Sequence, residues 1–166
     1  MFERRIRMKL LFKTVGIEQL HELVDLRIEF IKDIHPEFDI KLIDKIREAT
    51  IFYFKELLDC NSYIGFFGLD ENNEIVCTAG LLLYFLPPFN FESCRKIGHV
   101  LNFYTRPQYR KKGYGLELME YIKETAKNEG INRLVLNATK IGYGLYTKAG
   151  FTEPEERAMS LDLNAQ

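Results

Sequence analysis

The chain has 166 residues, 46% of them hydrophobic and 28% charged, which fits one globular domain with a buried core rather than a disordered chain. Its formal net charge of −1 at pH 7 argues against a nucleic-acid partner. The longest apolar run, 76–86, is too short to cross a bilayer and no secretory signal is evident, so we expect a cytoplasmic protein without a membrane partner.

The first half of the sequence predicts one strand, two helices and a hairpin. Apolar spacing predicts a strand over 8–15 and a helix over 17–34 that Pro36 ends. Asp39 is a plausible N-cap for a second helix that runs to about residue 58. Two aromatic-rich runs, 63–69 and 75–86, flank turn-forming residues and predict an antiparallel hairpin.

The second half predicts a strand–helix–strand unit with further short elements. We expect strands over 96–105, 134–137 and 158–163, and helices over about 114–129 and 141–148. Gly130 and Gly150 end the two helices. The order of elements predicts a single α/β domain over residues 1–166, and the three cysteines have no metal-ligand spacing, so no metal is expected.

The segment 103–116 joins a strand to a helix through a basic turn that contains glycine. Backbone amides at the start of a helix lack intrahelical acceptors and lie at the positive end of the helix dipole, which favours an anion. Gly113 allows a ligand to approach the backbone closely. The cationic side chains of the turn are Arg106, Arg110, Lys111 and Lys112. A pyrophosphate fits this arrangement, and a solvated basic turn is the alternative.

A second informative stretch, 137–151, follows the short strand and includes Tyr146. Together the two stretches resemble the GCN5-related N-acetyltransferase (GNAT) family. The family's Gln/Arg-x-x-Gly-x-Gly/Ala signature is matched by Arg110, Gly113 and Gly115, after the upstream Pro107 and Tyr109. Its later motifs, Leu-Tyr-x-x-x-Gly-Phe and Met-x-Leu-x-Leu, are matched by Leu145, Tyr146, Gly150, Phe151, Met159, Leu161 and Leu163.

The resemblance implies an α/β (α+β) fold with a mixed, mostly antiparallel sheet flanked by helices, whose central strands splay apart. It implies acetyl-CoA as cosubstrate, with its pantetheine arm along the first splayed strand and its pyrophosphate on the turn. The cofactor contacts that it implies are Phe103, Thr105, Arg110, Lys111, Lys112, Gly113, Tyr114, Gly115, Leu116, Asn137 and Tyr146. Asn137 has an alternative role as a cap of the following helix.

The resemblance also implies direct acetyl transfer, in a ternary complex, to a primary amine of a small molecule or peptide. Tyr146 falls where many relatives carry the general acid; the alternative is an ordinary half-buried tyrosine. His99 falls where some relatives carry a glutamate base; the alternatives are a structural strand histidine or a base supplied by ordered water. A non-catalytic acyl-CoA sensor and a homodimer remain open.

Overall fold

The computed structural model describes residues 9–87, 95–155 and 159–163. These parts of the chain contain five strands and four α-helices. Short 3-10 turns precede the first and third helices. The elements in chain order are β1 Leu11–Val15, α1 Leu20–Ile34, α2 Ile40–Asp59, β2 Tyr63–Leu69, β3 Ile75–Leu86, β4 Arg95–Thr105, α3 Tyr114–Asn128, β5 Arg133–Val135 and α4 Tyr143–Lys148.

The five strands form one mixed sheet in the order β1-β2-β3-β4-β5. The first four strands are antiparallel to their neighbours, and β5 lies parallel to β4. A parallel neighbour requires a crossover connection, which α3 supplies between β4 and β5. The predicted hairpin, the mostly antiparallel sheet and the late strand–helix–strand unit are therefore confirmed.

Helices cover both faces of the sheet. Successive side chains of a strand point to opposite faces, so neighbouring residues join different parts of the core. Phe66 packs with the cluster that α3 covers, where Leu118, Met119 and Ile122 are fully buried. The adjacent Phe67 packs with the cluster that α1 and α2 cover. The two faces are called here the α3 face and the α1–α2 face.

Three helix ends follow the local signals in the sequence. The Asp39 carboxylate accepts a hydrogen bond from the Leu42 amide at 2.8 Å and caps α2 as predicted. Gly130 and Gly150 follow α3 and α4 with φ angles of +66° and +95°, a backbone region that favours glycine. None of the helices in the described ranges is long and apolar enough to cross a membrane.

The prediction of a last strand over 158–163 is wrong for the part that the structure describes; Ala158 lies outside that part. Residues 159–163 form no strand. Met159, Leu161 and Leu163 are 95%, 83% and 86% exposed. Alternating apolar residues indicate a strand only where a neighbouring edge accepts their backbone hydrogen bonds, and this segment has no such neighbour among the described strands. For the same reason β5 ends at Val135, two residues earlier than expected.

Gly80 gives a test of how tightly the sheet packs against its α1–α2 face. A Cβ on Gly80 would lie 1.8 Å from the Tyr63 hydroxyl oxygen. Gly80→Ala should therefore lower the free energy of unfolding by about 1–3 kcal/mol, measured by urea denaturation. The matched control Gly144→Ala adds the same methyl group in α4, where nothing lies within 4 Å, and should be neutral or stabilising. Equal destabilisation by the two changes would contradict this packing.

Candidate functional site

Strands β4 and β5 separate after a short parallel contact. Their pairing begins at Ile97 and ends where His99 lies opposite Val135, whereas β4 continues to Thr105. No described strand pairs with the β5 side of β4 from residue 100 onward. The sheet therefore has a gap, bounded on one side by a β4 edge whose backbone groups can bind a ligand.

A bulge bends β4 beside this gap. Asn102 and Phe103 together oppose the single residue Ala79 of β3, which shifts the register between the two strands. Asn102 has a φ of +53°, and its Nδ2 donates a hydrogen bond to the Tyr63 hydroxyl at 3.1 Å. The side chain of the bulge is thus held by β2 on the α1–α2 face.

The turn between β4 and α3 presents amide groups without acceptors. In the described chain, the amides of Lys111, Lys112, Gly113 and Gly115 donate to no backbone carbonyl and to no side chain. Lys111 and Gly113 have φ angles of +59° and +84°, and such left-handed residues turn successive amides into an anion-binding concavity. With the dipole of α3 behind it, this concavity favours a phosphate-like ligand.

Gly115 marks the point where β4, α3 and α4 meet. A Cβ on Gly115 would lie 2.8 Å from Leu145 Cδ1, 3.4 Å from a Phe103 ring carbon and 3.7 Å from Thr105 Oγ1. The Phe103 ring is in edge contact with Tyr146, with their centroids 5.7 Å apart. The structure thus brings Phe103, Thr105, Gly115 and Tyr146 together at the gap.

The two arginines of the turn hold it against α1. Arg106 binds both carboxylate oxygens of Glu29, at 2.8 and 2.7 Å, and this contact raises the pKa of the guanidinium. Arg110 pairs with Asp33 and donates to the Thr105 carbonyl at 2.8 Å. The Arg110 side chain is therefore engaged with α1. Sequence reasoning missed the two α1 acids, which are spaced four residues apart.

The two lysines of the turn differ in their contacts. Lys112 Nζ donates to the Gln108 carbonyl at 3.0 Å and lies over the Tyr109 ring. Lys111 is exposed and makes no side-chain hydrogen bond or ion pair within the described ranges. Of the four cations that the sequence singled out, Lys111 is the one whose side chain has no partner among the described residues and so can meet an anion at the turn.

Three other candidate residues lie at or near the gap with restricted roles. The Tyr114 side chain is buried in the α3 face of the core. The Leu116 amide already donates to the Gly113 carbonyl at 3.1 Å. Asn137 is exposed beyond β5, beside a cavity of about 680 Å³ that Tyr146 also lines. The hydroxyl of Thr139 accepts from the Gly142 amide at 3.1 Å before α4, and Gly142, not Asn137, is the residue at the N-cap of that helix.

Tyr146 lies half-buried on α4 at the α3 face. Its ring contacts Phe103 and Phe151, and its hydroxyl has no hydrogen-bond partner among the described residues. Burial raises the pKa of the phenol above its usual value near 10, so the group is protonated at neutral pH and able to donate a proton.

His99 lies on the opposite, α1–α2 face, at the last position where β4 pairs with β5. The register places it in one row with Tyr63, Leu82 and Val135 across the sheet. Its Nε2 atom is buried and has no hydrogen-bond partner in the described chain. A buried nitrogen without a partner is costly, and a catalytic role is one explanation for such an atom. The two candidate catalytic side chains therefore approach the gap from opposite faces.

Comparison with known proteins gives one family match. The model of the acetyltransferase (GNAT) family matches residues 23–151, which include the gap, the turn and α4. The glucosamine 6-phosphate N-acetyltransferase of Trypanosoma brucei brucei is 26% identical over 149 residues, covering 86% of this chain and 99% of that protein.

Solved structures show the same fold. A predicted acetyltransferase from Clostridium acetobutylicum, whose crystal structure contains acetyl-CoA, superposes with a TM-score of 0.79 at 26% identity. The match covers 93% of this chain and 96% of that protein. A glucosamine-6-phosphate N-acetyltransferase from Arabidopsis thaliana has a TM-score of 0.60 at 19% identity, and the match covers 93% of this chain and 99% of that protein. This chain thus has the overall fold of these proteins.

Proposed function

The chain belongs to the acetyltransferase (GNAT) family, and we propose that it transfers an acetyl group from acetyl-CoA to a primary amine of a small molecule or peptide. The observation that carries the proposal is the group of amides without acceptors, at 111–113 and Gly115, next to the open edge of β4.

The residues present fit acetyl-CoA as cosubstrate. The amides of the turn and the free Lys111 side chain suit the pyrophosphate. The open edge of β4 beside Phe103 and Thr105 suits the amide-containing pantetheine arm, which can pair with it as a further strand does. Gly115 lets the start of α3 pack closely against α4 beside this edge, because a Cβ there would lie 2.8 Å from Leu145 Cδ1.

In the proposed mechanism, the two proton transfers take place on opposite faces of the gap. Acetyl-CoA supplies a thioester carbonyl, to which a neutral amine forms a C–N bond while the C–S bond breaks. In the proposed mechanism, the Tyr146 phenol gives its proton to the departing sulfur, and its burial keeps it protonated until then. On the other face, His99 Nε2 accepts the proton that the amine loses.

The named relatives suggest a first acceptor to test. Two of them are named for acetyl transfer to glucosamine 6-phosphate, a primary amine that also carries a phosphate. We therefore place this amino sugar phosphate first in a library of small amines and peptide amino termini.

The proposal is tested by thiol release from acetyl-CoA in the presence of that library. Amine-dependent thiol release with an N-acetylated product supports it. Tight binding of acetyl-CoA without turnover of any amine would contradict it and favour an acyl-CoA sensor.

Tyr146→Phe should lower kcat by about 100-fold or more, because the sulfur loses its proton donor while the ring contacts stay. The affinity for acetyl-CoA, measured by calorimetry, should stay within about twofold, because the phenol acts on the leaving group. Tyr143→Phe is the matched control, since this tyrosine is on the same helix and its hydroxyl contacts Glu153 instead. Equal rates for Tyr146→Phe and the unchanged protein would remove Tyr146 from the mechanism.

Gly115→Glu should weaken acetyl-CoA binding about tenfold or more in calorimetric titration. The new side chain fills the space between Phe103 and Leu145 and adds a negative charge at the start of α3. Gly16→Glu makes the same change where nothing lies within 4 Å and should leave binding unchanged. Unaltered affinity in Gly115→Glu would place the cosubstrate elsewhere.

A further inference from the structure

Three of the carboxylates of helix α1 are spaced four residues apart, and each of these three is paired with an arginine of another segment. The pairs are Asp25 with Arg47, Glu29 with Arg106, and Asp33 with Arg110. These acids are therefore occupied, and they secure α2 and the turn after β4 to the same helix.

Arg27 lies on the same helix and differs from these arginines. Within the described ranges it has no carboxylate partner, and its guanidinium donates no hydrogen bond. The Cζ atom of its guanidinium group lies 5.3 Å from the centroid of the Phe30 ring. Burial lowers the pKa of the guanidinium, although it remains a cation at neutral pH. A half-buried cation with five unused N–H donors favours an oxyanion, to which the guanidinium can bind with two parallel hydrogen bonds.

The surroundings place Arg27 on the acceptor side of the gap. Its guanidinium lies over the Phe30 ring, and that ring contacts the ring of Tyr104 in β4, with their centroids 5.5 Å apart. Tyr63 and Tyr53 lie close enough that their ionised forms would raise the pKa of Arg27. The buried Tyr63 hydroxyl accepts from Asn102, the bulge residue of β4, and Tyr63 is in the same row of the sheet as His99. Arg27 therefore lies on the α1–α2 face. In the proposed mechanism, this is the face from which the amine approaches His99. The α3 face holds Tyr146 and the start of α3.

We propose that Arg27 binds an oxyanion of the acceptor, a carboxylate or a phosphate, and so selects anionic primary amines over neutral ones. The inference rests on the proposed acetyl transfer and adds to it the class of acceptor. With a net charge of −1, the protein has no overall field that would attract an anion, so a local cation has to supply this selectivity.

Two pairs of acceptors separate the sources of the anion. Glucosamine 6-phosphate against glucosamine tests the phosphate, and an α-amino acid against its amide tests the carboxylate. In at least one pair, the protein should prefer the anionic member by about tenfold or more in kcat/KM. Arg27→Gln should reduce kcat/KM for the anionic member about 10- to 100-fold, mainly by raising KM. The same variant should change kcat/KM for the neutral member by less than about twofold.

Several controls make the test specific. Arg27→Lys keeps the charge without the planar fork and should recover part of the preference. Arg47→Ala removes an arginine of α2 that is already paired with Asp25 and should leave the preference unchanged. Calorimetric affinity for acetyl-CoA should be the same in all variants.

The outcomes for the two proposals differ. If acetyl transfer occurs but the unchanged protein shows no preference for the anionic member of either pair, the role of Arg27 is overturned and the proposed function stands; this comparison needs no variant. If Arg27→Gln slows both members of a pair equally, the role of Arg27 is also overturned. If the unchanged protein transfers acetyl to no amine, the proposed function fails, and the Arg27 inference fails with it.

Discussion

The separation of β4 from β5 is the constraint on which the rest of the site depends. Three residue pairs hold the parallel strands together, and beyond His99 the β5 side of β4 has no partner in the described sheet. The bulge at Asn102 and Phe103 bends β4 at that point, and the contact of Asn102 with Tyr63 holds the bulge on the α1–α2 face. Backbone groups that a closed sheet would use are thereby left for a ligand.

Helix α1 contributes to both sides of this arrangement. Glu29 and Asp33 hold the arginines of the turn and thereby fix the turn against this helix. Exposed ion pairs contribute little to global stability, so their main consequence is the fixed geometry of the turn. Two residues before Glu29, Arg27 has no such partner among the described residues, and its guanidinium lies over the Phe30 ring. In the proposed function, the same helix therefore positions the turn that would bind the cosubstrate and places a cation on the side from which the acceptor would approach.

Much of this could be predicted from local sequence signals. The glycines at 113 and 115 and the position of Tyr146 are readable because a helix start and a short helix have local signatures. The bulge could not be predicted, because it arises from counting residues across β3 and β4. The engagement of Arg110 with Asp33 depends on the packing of two segments 77 residues apart. The predicted last strand failed because alternation at Met159, Leu161 and Leu163 does not supply a neighbouring edge.

The most direct test of the account is the amide spectrum of the isotope-labelled protein during a titration with acetyl-CoA. Acetyl-CoA should shift the amide resonances of Lys111, Lys112, Gly113 and Gly115 most and slow their hydrogen exchange, because these amides gain phosphate acceptors. Amides of the exposed face of α2 should not change. Saturating acetyl-CoA that leaves the turn amides unshifted, or that shifts only residues far from β4, would contradict it.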